Sequence, residues 1–104
     1  MFQINPDPTF VGTVKIPAAG GKEQELRLVF KHKTRDEAKE YFQRATDSDA
    51  SDTKLLLEVI AGWEDVDAEF SEEALNRLIQ NYQAAPRAIF EGYLAELQVA
   101  RLGN

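Results

Sequence analysis

The chain has 104 residues, 43% of them hydrophobic and 29% charged, with a formal net charge of −6. That length and composition fit one globular domain, residues 1–104, with little volume for an enclosed cofactor pocket, and the acid surplus disfavours binding to phosphate backbones. Zero cysteines exclude disulfides, thiolate metal sites and cysteine nucleophiles together, and no apolar run approaches the roughly 18 residues of a membrane span.

The N-terminus, Met1-Phe2-Gln3-Ile4-Asn5-Pro6-Asp7-Pro8, lacks the basic-then-apolar order of a secretory signal, so a soluble intracellular protein is expected. The charge is unevenly placed. Residues 1–33 carry five basic and three acidic side chains, whereas 34–104 carry seven basic and fifteen acidic. An acidic body of this kind keeps a small protein dispersed.

Residues 1–33 read as a hairpin region. Asn5-Pro6-Asp7-Pro8-Thr9 is an extended lead-in. Phe10, Gly12, Val14 and Ile16 then share one parity, and Leu26, Leu28, Phe30 and His32 repeat it against Glu25, Arg27, Lys31 and Lys33. Period-two alternation marks strands with one wet face, and Pro17-Ala18-Ala19-Gly20-Gly21-Lys22 between them is turn chemistry. A lone hairpin is marginal in water, so its even face is expected to lie on the helices that follow. Lys15, Lys22, Arg27, Lys31 and Lys33 make the outer face and edges basic, which is read first as protection against edge-to-edge association.

Residues 34–104 read as four short helices, giving an α+β fold in which an antiparallel hairpin packs on a helical bundle. Thr34-Arg35-Asp36-Glu37 has the form of a capping box, followed by Ala38, Tyr41, Phe42 and Ala45 at helical spacing, so a first helix is expected from about residue 35 to 45. A second is expected over about 53–61, apolar on nearly every face through Leu55, Leu56, Leu57, Val59 and Ile60. Gly62 is expected to end it in the left-handed conformation, with Trp63 folding back on its last turn. Ser71 then caps a third helix, with Phe70 and Leu75 as a hydrophobic staple and Leu75, Leu78, Ile79 and Tyr82 as its stripe. Pro86 suits the first turn of a fourth, which carries Ile89, Phe90, Tyr93, Leu94, Leu97 and Ala100.

No arrangement of catalytic residues emerges. His32 is the sole histidine, and there is no metal-binding histidine pair, nucleophile elbow or phosphate loop. Adjacent acids such as Glu72/Glu73 and Asp65/Asp67 lack the burial that raises a carboxyl pKa for acid catalysis. Asp47, Asp49, Ser51 and Glu58 fall at positions 1, 3, 5 and 12 of a calcium loop, but position 6 is Asp52 where glycine is needed, and helix capping explains the same residues. The expectation is a non-enzymatic protein without metal or cofactor. What stands out instead is Trp63-Glu64-Asp65-Val66-Asp67-Ala68-Glu69-Phe70, where aromatic residues bracket four acids. Its ends read as core staples and its acidic middle as a docking edge for a protein partner.

The run Ile60-Ala61-Gly62-Trp63-Glu64-Asp65-Val66-Asp67, with Phe70-Ser71-Glu72-Glu73-Ala74-Leu75, Leu78-Ile79 and Tyr82, resembles the phage tail assembly chaperones. So does Ala88-Ile89-Phe90-Glu91-Gly92-Tyr93 with the final Ala100-Arg101-Leu102-Gly103-Asn104. That family often shows a W-x-x-V/G-x-x-x-F-S-x-x-x-L-x-x-L pattern, a Y-P pair and a terminal arginine near asparagine. Here Tyr82 is followed by Gln83, and the proline comes later as Pro86. The likeness covers residues 55–104. It implies a protein of long-tailed phages or prophages that works in the host bacterial cytoplasm, binds and solubilises the tape-measure protein, helps recruit tail-tube subunits and is absent from the mature virion. The ending Gly103-Asn104 would suit the short form that relatives make beside a frameshifted longer one. On this reading the partner-binding residues are Trp63, Glu64, Asp65, Val66, Asp67, Glu69, Phe70, Tyr82 and Tyr93. Nucleic acid and membrane are not expected partners, and pairing of hairpin edges between subunits of a homo-oligomer stays open. The other class that suits a small acidic helical chain is a prophage-encoded regulator or adaptor acting by protein–protein binding.

Overall fold

The computed structural model describes residues 1–47 and 51–98. Strands β1 (Thr9–Ala18) and β2 (Lys22–Lys31) form the expected antiparallel hairpin, in register from Thr9↔Lys31 to Ala18↔Lys22. Gly20 and Gly21 adopt φ of +88° and +82°, a left-handed pair that turns the chain tightly and that side chains with a Cβ resist. At the open end the His32 amide donates to the Pro8 carbonyl at 2.8 Å. The even parity is the inner face: Gly12, Val14, Ile16, Leu26, Leu28 and Phe30 are buried while their odd neighbours are wet or half-buried. His32 lies past the strand and is exposed.

Helix α1 (Arg35–Asp47) starts at a reciprocal capping box. The Thr34 amide donates to Glu37 Oε1 at 2.9 Å and the Glu37 amide to Thr34 Oγ1 at 3.2 Å. The bond from the Thr34 amide favours the ionised carboxylate, so the Glu37 pKa falls below the usual glutamate range. Only Tyr41 of this helix is fully buried, its hydroxyl donating to the Leu55 carbonyl at 2.6 Å. Beside it the Arg44 guanidinium bridges Glu58, at 2.8 and 2.9 Å, and Glu40, at 3.0 Å. The short helix α2 (Asp52–Leu57) begins at Ser51, whose hydroxyl accepts from the Lys54 amide at 3.3 Å.

Beyond α2 the structure departs from the helical expectation for residues 53–61. The helix stops at Leu57, and Ile60–Glu64 forms a third strand, β3, antiparallel to β2 in the order β1-β2-β3. Gly62 is not a left-handed helix terminator; the left-handed residue is Asp65, at φ +57°, where the strand ends. Two causes are visible. Val59 and Ile60 are β-branched and favour an extended chain. The long-range gain is pairing with β2, whose second edge would otherwise stay open, and the Lys31 amide donates to the Val59 carbonyl at 2.7 Å. Uniform apolarity over a few residues suits a buried strand as well as a buried helix.

Helix α3 (Glu72–Asn81) opens at Ser71, whose hydroxyl accepts from the Ala74 amide at 3.0 Å, and places Glu72 and Glu73 at its positive end. Helix α4 (Ala85–Leu97) carries Pro86 in its first turn and lies across β1. Ala100 and the Gly103-Asn104 ending lie outside the described residues, as does Asp49. One cluster of buried side chains joins Val14, Leu28 and Phe30 of the sheet to Tyr41, Leu56, Leu75, Ile89 and Tyr93 of the four helices. Full burial of a side chain of this size stabilises the fold by roughly 1.5–3 kcal/mol.

Candidate functional site

The site grows from the end of β3. Trp63 sits opposite Leu28 and Glu64 opposite Arg27, and the Glu64 carboxylate meets the Arg27 guanidinium at 3.2 Å on the outer face. The chain then turns at Asp65 and loops back until the Trp63 indole N–H donates to the Ala68 carbonyl at 2.7 Å. The ring of Phe70 stands edge-on to the indole, 5.1 Å between centroids and 86° between planes, an arrangement aromatic pairs prefer. Trp63 is thus the peg around which residues 64–70 are wound.

This winding opens a cleft of about 670 Å³ between the loop, the turn end of the hairpin and α3. Ile16, Leu26, Trp63, Val66, Leu78 and Tyr82 supply its apolar lining. Among the described residues, Glu25, Asp65 and Asp67 bring three carboxylates to it against the single guanidinium of Arg77, so its charge is acidic. Gln24 Nε2 donates to the Tyr82 hydroxyl at 2.7 Å and ties the hairpin to the end of α3.

Five of the residues expected to bind a partner therefore line one cleft: Trp63, Asp65, Val66, Asp67 and Tyr82. Phe70 stands beside the indole, and Glu69 is exposed on the loop but does not line the cleft. Glu64 is not a free acid of the loop, as its sequence neighbours implied; it is a strand residue engaged with Arg27. Tyr93 is corrected outright. It is fully buried, with its hydroxyl on the Lys31 carbonyl, and therefore shows no surface to a partner.

The sequence reading missed the α3 wall of the cleft, Ala74, Arg77, Leu78 and Asn81. Their i, i+3, i+4, i+7 spacing was visible, one position out of step with the core stripe of Leu75, Leu78, Ile79 and Tyr82. It also missed Gln24 and Leu26, which only the hairpin register brings to the same end as Trp63.

Among the described residues no group of three or more His, Cys, Asp or Glu side chains is placed to hold a metal ion. Of the calcium-loop positions, Ser51 caps α2 and Glu58 is held by Arg44. No helix among the described residues is long and apolar enough to cross a membrane.

The decisive comparison is with protein families. The model of the phage tail assembly chaperone family matches residues 1–104, the whole chain. The chain belongs to the phage tail assembly chaperones. No curated protein and no solved structure matches it. The match extends the likeness from the C-terminal half to the hairpin, and this chaperone's role lies in phage tail assembly.

Proposed function

We propose that this chaperone binds the tape-measure protein through the Trp63 cleft, keeps it soluble, and helps bring tail-tube subunits to it during assembly. The observation that carries the reading is the convergence of Trp63, Val66 and Tyr82 with Asp65 and Asp67 on one cleft. An apolar lining with acidic side chains suits a stripe of apolar residues on a helix with basic flanks, and tryptophan and tyrosine are the usual anchors of such contacts. A tape measure is a long helical protein that shows apolar stripes until the tube covers them. An acidic cover would shield a stripe while its charge keeps the complex dispersed. In this role the chain acts as one domain in the host cytoplasm, catalyses no reaction, and stays out of the finished particle.

The test is co-expression with the tape-measure protein of the same phage or prophage. A Val66→Ser/Asp67→Lys variant should lose co-purification and leave the tape measure insoluble, while circular dichroism shows an intact fold. Undiminished co-purification by that folded variant would overturn the proposal.

A further inference from the structure

A second concave surface lies beyond the open end of the hairpin and shares no residue with the Trp63 cleft. It encloses about 1350 Å³ between α1 and the end of α4. Arg35, Ala38, Lys39, Phe42 and Thr46 form the α1 wall, at the spacing of one helical face and over about 16 Å of helix. Leu94 and Leu97 form the facing wall. Ala38 and Phe42 are only half-buried, and Leu94 is 39% exposed. The apolar stripe of α1 is thus partly used by the core and partly left open beside the leucines of α4.

The charges on α1 are sorted by face. Arg35 and Lys39 line the groove, and Asp47 is the single acid lining it among the described residues, whereas the Lys33 ammonium lies over the Tyr41 ring, 5.4 Å from its centroid. Glu37 is turned to Thr34, and Glu40 to Arg44, on the other side of the helix. A chain of net charge −6 therefore presents a basic groove at one end and an acidic cleft at the other.

We infer that this groove binds an acidic amphipathic helix of another protein, laid along α1 with its apolar side chains on Phe42 and Leu94 and its carboxylates toward Arg35 and Lys39. A helix in a groove supplies both the apolar stripe and the flanking charges that such a surface complements. A second copy docked by the same face would set cations against cations, so the charge favours a different chain. The inference does not rest on the Trp63 reading, because it concerns the other end of the hairpin and the opposite charge.

The test uses the full chain with Val66→Ser/Asp67→Asn, which weakens the acidic cleft as a site for a basic helix, and two synthetic helical peptides with the same leucine stripe, one flanked by glutamate and one by lysine, titrated by fluorescence anisotropy. The glutamate peptide should bind at least about tenfold tighter than the lysine peptide, and added salt should weaken it. Arg35→Glu/Lys39→Glu, two exposed positions whose fold is checked by circular dichroism, should reverse the preference. Leu94→Ser should weaken the glutamate peptide. Equal binding of the two peptides would overturn the inference, as would glutamate-peptide binding that Leu94→Ser leaves undiminished. So would self-association that Arg35→Glu/Lys39→Glu abolishes, which makes the occupant a second copy. Binding that appears only after residues 99–104 are removed would assign the groove to the chain's own terminus and equally end the proposal.

Discussion

The Phe30 ring lies directly over Gly12, so that a Cβ at position 12 would stand 2.9 Å from the ring edge and 3.0 Å from Glu96 Cγ. Phe30 is fully buried and held by Phe10 and Tyr93 at centroid distances of 5.7 and 5.0 Å, so it cannot yield cheaply. Gly12→Ala should therefore destabilise the protein by about 1–3 kcal/mol, the usual cost of overpacking. Chemical unfolding should show a lower midpoint with an unchanged slope.

Tyr41 and Tyr93 are core residues whose hydroxyls end on backbone carbonyls, of Leu55 and Lys31. Removing either hydroxyl leaves a carbonyl without that donor, and Tyr41→Phe should cost about 1–2 kcal/mol in thermal or chemical unfolding.

Burial also raises both phenol pKa values, that of Tyr93 to about 12 from an ordinary 10.0. The unfolded chain releases these protons first. Their contribution is thus complete below pH 10 and is lost as pH rises through the folded value. Stability measured from pH 9 to 12 should fall, and the Tyr93→Phe variant should fall less steeply.

Acid acts on the ion pairs that Arg44 makes beside Tyr41. Hydrogen bonds from Arg44 hold the Glu58 and Glu40 carboxyls below the usual glutamate range. Their contribution is present above the ordinary value of 4.5 and disappears as pH falls through the lowered folded values. Arg44→Gln should flatten the acid limb of the stability profile, read as the denaturant midpoint between pH 2 and 6.

Trp63→Phe keeps a ring against Phe70 but deletes the N–H bond to the Ala68 carbonyl. The expected loss in stability is about 1 kcal/mol, with faster hydrogen exchange at the amides of residues 65–69 than in the parent protein.

Where a residue's role depends on near neighbours, the sequence displayed it. The alternation in Phe10–Ile16 and Leu26–Phe30, the Thr34/Glu37 box and the Ser71 cap each need only a few residues of context, and each is realised. Ile60–Glu64 could not be read that way. Its run of apolar residues is compatible with helix or strand, and the choice is made by the open edge of β2, about thirty residues earlier in the chain. The same long-range pairing explains the site. Once residues 60–64 are a strand, Glu64 is committed to Arg27, and Trp63 faces a cleft completed by Gln24, Leu26 and Arg77. Tyr93 was misplaced for the simpler reason that an amphipathic aromatic at helical spacing serves a core and a surface equally well until its neighbours are known.

The order in which the sheet is assembled has a consequence for synthesis. Translation delivers the hairpin first, with Val14, Ile16, Leu26, Leu28 and Phe30 uncovered along one side. Neither its third strand nor α4, which brings Ile89 and Tyr93, exists at that moment. Loop-closing contacts of this separation make formation of the core late and concerted. A nascent chain halted before Ala85 would therefore be an adhesive, protease-sensitive polypeptide, and for that interval this chaperone would itself need shelter.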